Sequence, residues 1–363
     1  MRFHDDCLVV DGHTDVPTRL FEEPADLCLR LPDRHVDLPR LRAGGVDALV
    51  WALFVPASLD PEAGLAHARK LYEISLAHLV PGEIEGARSA SDVRSNAARG
   101  VISVLFGLEN GRPLTVPGAL DACARMGIRY VTLTHFGSHE WCDASTDEPR
   151  HGGLAPAGCD IVRRLNKAGI LPDVSHVSDA AVEQVLEASR VPPIASHSSA
   201  RALCDHPRNL PDPLIREIAR AGGLVMANSF PAFVADEAAE ALHERHEELG
   251  PELRELEERY FEEPGPVARE IARLFAGHPQ PEVPLARYVD HVIHLIEIGG
   301  EEHTGIGTDF DGIPETLRGF EDVSKLPSLT AALLERGVDR SGVRRILGEN
   351  FLAALEAAER AAD

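Results

Sequence analysis

Eight short apolar runs, rich in valine and isoleucine, recur along this 363-residue chain, and helical patterning separates most of them. Strands that read as continuous apolar runs are buried on both faces, which is the habit of parallel sheets covered by helices. The runs fall at 7–11, 46–55, 101–108, 128–134, 170–175, 191–196, 223–229 and 304–308. Several intervening stretches carry helix-end chemistry. Pro117 opens one that stops at Gly127, and 157–168 stops at Gly169. Ser178 caps 178–189, and Asp212 caps 212–221 with Pro213 in its first turn. Two more helices, 326–336 and 340–361, close the chain.

Eight strands alternating with helices predict an α/β fold, a (β/α)8 TIM-like barrel. An open doubly wound sheet uses the same alternation, and the strand count favours the barrel. At roughly 150 residues per domain the length would allow two or three domains, but one barrel absorbs it, so residues 1–363 are expected to form one domain. One segment, 231–284 between the seventh and eighth runs, has no strand pattern and is expected to be a helical insertion. Within it, 236–263 hold 12 acidic and 3 basic side chains, net −9 of the chain's −23. A pair of solvated helices around Leu253, Leu256, Tyr260 and Phe261 suits that composition.

The charge balance, 36 basic against 59 acidic residues, argues against nucleic acid and anionic membrane surfaces as partners. The first residues are acidic where a signal peptide needs a basic and then an apolar stretch. No apolar run is long enough to anchor the chain in a membrane. The six widely spaced cysteines, with no Cys-x-x-Cys, then read as reduced thiols of a cytoplasmic protein.

The ends of the runs carry the chemistry. His13 and Asp15 follow the first, and Glu109, His135, His176, His197 and Asp309 end five others, so six of eight runs deliver His, Asp or Glu. Loop polarity would account for one or two. In a barrel these ends converge on one face, where catalytic groups sit. Neutral imidazoles and carboxylates suit zinc and similar divalent ions. His13, Asp15, Glu109, His176 and His197 are more ligands than one catalytic zinc needs, and Glu109 could bridge two ions that hold a hydroxide between them. No His-Glu-x-x-His, Gly-x-Ser-x-Gly or Walker loop points elsewhere.

These residues resemble the renal (membrane) dipeptidase family of zinc peptidases, within the amidohydrolase-like barrels. The matching pieces are Asp11-Gly12-His13-Thr14-Asp15, Gly107-Leu108-Glu109, Leu133-Thr134-His135, Asp173-Val174-Ser175-His176-Val177-Ser178, Ser196-His197-Ser198-Ser199-Ala200, Arg208-Asn209, Gly307-Thr308-Asp309-Phe310-Asp311-Gly312 and Glu321-Asp322-Val323-Ser324-Lys325. The resemblance implies two zinc ions, other divalent ions being possible. His13 and Asp15 would bind one, His176 and His197 the other, and Glu109 both. Asp309 would carry the proton from water to the leaving amine. His135 would stabilise the oxyanion, and Arg208 would hold the substrate's C-terminal carboxylate. It further implies hydrolysis of dipeptides, L-Xaa-D-Xaa or L-Xaa-L-Xaa, by a homodimer.

Asn110-Gly111-Arg112 departs from the Gly-Gly-His of the mammalian members, and Arg112 is a candidate for favouring an acidic C-terminal residue. The alternative within barrel hydrolases is a lactone, cyclic amide or deamination substrate, for which Arg208 would be unnecessary. A binding protein with a vestigial site is a third reading, which the intact ligand set disfavours.

Overall fold

The computed structural model describes residues 3–259, 265–278 and 280–362. Nine strands form one parallel sheet: β1 (Val10–Thr14), β2 (Ala48–Phe54), β3 (Ile84–Gly86), β4 (Ile102–Glu109), β5 (Ile128–Thr132), β6 (Leu171–Asp173), β7 (Ile194–Ala195), β8 (Leu224–Ala227) and β9 (Thr304–Ile306). Eight of them run in the order β1-β2-β4-β5-β6-β7-β8-β9, and β3 pairs with β4 off that path. The ends of the path meet beyond β9. Thr14 bridges Phe310, the Asp309 amide donates to the His13 carbonyl at 3.0 Å, and the Asp15 amide donates to Phe310 at 2.9 Å. Asp11 tightens this closure, accepting from the Thr308 amide at 2.9 Å and its hydroxyl at 2.5 Å. The sheet is a nearly closed (β/α)8 barrel, as the strand count predicts.

Strand alternation sorts the side chains. Val10, Val50, Leu105, Tyr130, Leu171, Ile194, Leu224 and Met226 form one buried cluster, joined by Phe351, Leu352 and Leu355 of the terminal helix. Leu49, Trp51, Val104 and Leu108 belong to the larger cluster shared with the surrounding helices. An inner and an outer core are what a small barrel requires.

The first strand begins three residues later than the apolar run suggests, because His4–Asp6 form a short helical turn. Asp212 is not a cap. Pro211 takes that position, Asp212 is the first helical residue, and its carboxylate meets His294 Nε2 at 2.7 Å. Ser178 does cap its helix, accepting from the Ala181 amide at 3.3 Å. The helix expected over 340–361 is interrupted by a wide turn, Arg345–Glu349. Gly348 lies there against the Leu8 carbonyl, which a Cβ would approach to 2.6 Å.

Within the insertion, helices span Asp236–Arg259 and Val267–Phe275. Leu256 is buried and Leu253 half-buried, so the first of these helices is less solvated than its composition suggests, whereas Tyr260 and Phe261 lie outside the described residues. No described helix is long and apolar enough to cross a membrane. All six cysteines are free thiols.

Candidate metal centre

The C-terminal strand ends bring six of the other seven predicted site residues around Glu109. Glu109 itself is the last residue of β4 and is 3 % exposed. Its Oε2 faces His13 Nε2 at 3.6 Å, and that nitrogen lies 3.5 Å from Asp15 Oδ2. Its Oε1 faces His176 Nε2 at 3.2 Å, His197 Nε2 at 3.5 Å and His135 Nε2 at 3.9 Å. The Nε2 atoms of His176 and His197 are 2.8 Å apart. Asp309 closes the ring, its donor atom within 4.8 Å of those of His13 and Asp15.

The local backbone is unusual here. His176, Asp309, Asn110 and Asp311 have positive φ, and they are the only described non-glycine residues that do. Such strain collects at sites where the surroundings dictate side-chain direction. Gly312 shows how tight the packing is: a Cβ would fall 2.3 Å from Asp15 Oδ2 and 2.7 Å from Asp309 Oδ1.

The electrostatics call for positive charge. Burial pushes Asp15 up to about 6 and Asp309 up to about 7, with Glu109 adding to both. Burial alone would lower His13, but the Tyr130 oxygen, Glu109 and Asp15 outweigh it and raise it well above its ordinary value. By contrast, burial holds His176 and His197 well below the usual imidazole value, with Arg208 among the neighbouring cations that add to it, so both stay neutral. Crowded carboxyls retaining protons beside neutral imidazoles are the donor set of a divalent cation site. His13 Nε2 is buried without a hydrogen-bond partner, 3.5 Å from Asp15 Oδ2 and 3.6 Å from Glu109 Oε2, where a cation would take the place of the proton these carboxylates draw onto it. The residues present therefore fit a metal.

His135 lines the same pocket, its ring 4.2 Å from those of His176 and Phe136 and 4.7 Å from Phe54. Burial, then Arg208 and His13, push it down to about 3. Arg208 is 2 % exposed. It donates to the His197 carbonyl at 3.0 Å and the Ser198 hydroxyl at 3.3 Å, while its Nε has no partner.

Arg112 is not free to read a substrate. Its Nε and one terminal nitrogen grip Glu140 at 2.5–3.1 Å, and the other terminal nitrogen donates to the Ala57 and Leu59 carbonyls. The guanidinium is neutralised within the chain, which removes the reason for an acidic preference. A cavity of about 440 Å³ lined by Arg287, His291 and His294 includes none of the predicted site residues.

Three supporting residues escape the strand-end reading. Asn228 donates to Asp309 Oδ2 at 3.0 Å. Tyr130 meets His13 Nδ1 at 2.7 Å, and Asp173 braces the β6 and β7 ends. Asn228 does follow an apolar run, so a rule admitting amides would have found it. Tyr130 lies inside β5 and is recognisable only by what it touches across the barrel, whereas Asp173 ends β6 but is hidden within the longer apolar run 170–175.

A barrel with this donor set at its C-terminal face belongs to the metal-dependent hydrolase class. The model of the membrane dipeptidase family, peptidase family M19, matches residues 1–363, and the chain belongs to that family. Dipeptidase aclJ of Aspergillus oryzae is 32 % identical over 96 % of this chain and 77 % of its own length. An uncharacterized dipeptidase of Schizosaccharomyces pombe is 31 % identical over 97 % of this chain and 81 % of its own. Among solved structures, the probable dipeptidase PvdM of Pseudomonas aeruginosa superposes with a TM-score of 0.85 at 26 % identity, covering 99 % of this chain and 98 % of that one. The M19 metallopeptidase dipeptidase AC gives 0.78 at 25 % identity, covering 97 % and 98 %. The chain is thus a metallopeptidase of the dipeptidase type.

Proposed function

We propose that this protein is a binuclear zinc dipeptidase. The observation that carries the reading is the division of ligands across one carboxylate: Glu109 turns Oε2 to His13 and Oε1 to His176 and His197. His13 and Asp15 would hold one ion, His176 and His197 the other, and Glu109 both. Bound zinc supplies Lewis acidity and a lowered pKa for water.

The chain's own groups supply the rest. Asp309, kept near the centre by Asn228, takes a proton from the attacking water and hands it to the leaving amine. With a divalent ion held beside it, Asp309 would lose part of its upward pKa shift and could both accept and give the proton. His135 stays neutral and offers an N–H to the oxygen that becomes negative as the carbonyl is attacked. Arg208 holds the C-terminal carboxylate, for which a planar guanidinium is suited. Its burial and unpartnered Nε support that role. Anchoring the carboxylate one residue beyond the scissile bond limits the substrate to dipeptides, L-Xaa-D-Xaa or L-Xaa-L-Xaa. We further propose one domain with 231–284 inserted, acting as a cytoplasmic homodimer.

The test is a panel of dipeptides, tripeptides, lactones and cyclic amides given to zinc-loaded protein. The expected result is cleavage of dipeptides alone, lost on chelation and restored by zinc. Full metal occupancy without dipeptide hydrolysis would overturn it in favour of another amidohydrolase-type substrate.

A further inference from the structure

Taking the metal-centre reading above as the starting point, we infer that Asp173, acting through Ser196, is the positioning residue for His197 and governs how tightly the His176/His197 half of the centre holds its ion. Asp173 is fully buried, and the Arg208 guanidinium acts on it only as a more distant charge. Its Oδ1 accepts the amides of Ser175 at 3.0 Å and Ser196 at 2.8 Å. Its Oδ2 accepts the hydroxyls of Thr132 at 2.5 Å and Ser196 at 2.6 Å. Four donors account for an ionised carboxylate's acceptor sites.

A serine hydroxyl has one proton. Ser196 gives it to Asp173, so the Ser196 oxygen, 2.7 Å from His197 Nδ1, must accept from that nitrogen. The tautomer is thereby fixed. His197 carries its proton on Nδ1 and turns the Nε2 lone pair toward Glu109 and His176. The anionic end of the relay also raises the basicity of that lone pair.

The three ligand imidazoles are supported unequally. His197 has a relay ending in a carboxylate. His13 leans on a neutral one: its Nδ1 meets the Tyr130 hydroxyl at 2.7 Å, that hydroxyl donates to the Gly12 carbonyl at 3.2 Å, and the Ser196 oxygen stands at the far limit of 3.5 Å. His176 Nδ1 is buried with no partner. His197 is therefore the anchored imidazole of its half, and loss of the relay should weaken one ion and spare the other.

Zinc titration against a competing chelator tests this on the folded protein, with thermal unfolding of the metal-free form alongside. Wild type should bind two ions. Asp173→Asn and Ser196→Ala should each weaken one of them by roughly 10–100-fold and leave the other unchanged. Ser196→Thr, which keeps the hydroxyl, should restore the loss. If Asp173→Asn does not fold, Ser196→Ala carries the test alone. A role confined to bracing β5, β6 and β7 would lower the apo melting temperature and leave both affinities unchanged or weaken them equally, and either result overturns the relay. A wild-type protein binding fewer than two ions would overturn the metal-centre reading itself.

Discussion

Asp309 shows how much one side chain depends on its neighbours. Its carboxyl is aimed by a left-handed backbone, tethered by Asn228, and kept close to Asp15 because residue 312 has no Cβ. Asp309→Asn preserves size and the tether's geometry but cannot carry a proton. Metal content should remain at the wild-type level while kcat falls by roughly 10²–10⁴, the usual contribution of general acid–base catalysis. Loss of metal together with activity would instead make Asp309 a ligand. At this scale the sequence is readable where a reactive residue follows an apolar run, as with Glu109 and His197, because chain direction alone carries it to the barrel's catalytic face. Arg112 misleads because adjacency to Glu109 says nothing of Glu140, distant in the chain, which neutralises it. Tyr130 is silent for the same reason.

Helices and loops hold the ring of strand ends in place. His291, in the helix Leu285–Gly299, is 1 % exposed and joins two loops: its Nδ1 accepts from the Ala200 amide at 3.1 Å, and its Nε2 lies 3.0 Å from the Val234 carbonyl. Protonating Nδ1 would cost the first bond, and burial, the main cause, lowers this group to about 4. The sign follows. A histidine whose folded value lies below the unfolded one stabilises the protein above about 6.5, and that contribution drains away as pH falls toward 4. His291→Gln should flatten unfolding free energy against pH in that window by about 1.4 kcal/mol per pH unit, measured by denaturant titration; an unchanged slope would contradict it. The insertion is less solvated than its acidity suggests. Arg245 is 2 % exposed, bound to Glu315 at 2.7 and 2.8 Å and stacked 3.9 Å from Phe275. Arg269 reaches Glu23 and Asp33, both at 3.2 Å. These helices are thus tied to loops that follow β1 and β9. Charge counting reads exposure, and it misses a cation buried against one distant carboxylate.

The whole molecule turns on closure of the barrel. Eight apolar runs are compatible with an open sheet too, and closure rests on Asp11 gripping Thr308 and on the Thr14 bridge to Phe310, contacts almost 300 residues apart. Short local patterns therefore give the number of strands and the face they present. They do not give the extra strand β3, too short to carry a pattern, or the pairing that joins first to last. Closure is also what brings His13 and Asp15 to Glu109 on one side and Asp309 on the other. Of the net charge of −23, the stretch 236–263 supplies −9, and two divalent ions would offset only four charges, locally at the strand ends. The central claim is that Glu109 is shared by two metal ions. Anomalous diffraction at the zinc edge from zinc-loaded crystals tests it most directly. The account predicts two peaks about 3.5–4 Å apart, one beside His13 and Asp15 and one beside His176 and His197. A single peak under saturating zinc, or two with Glu109 bound to only one, would contradict it.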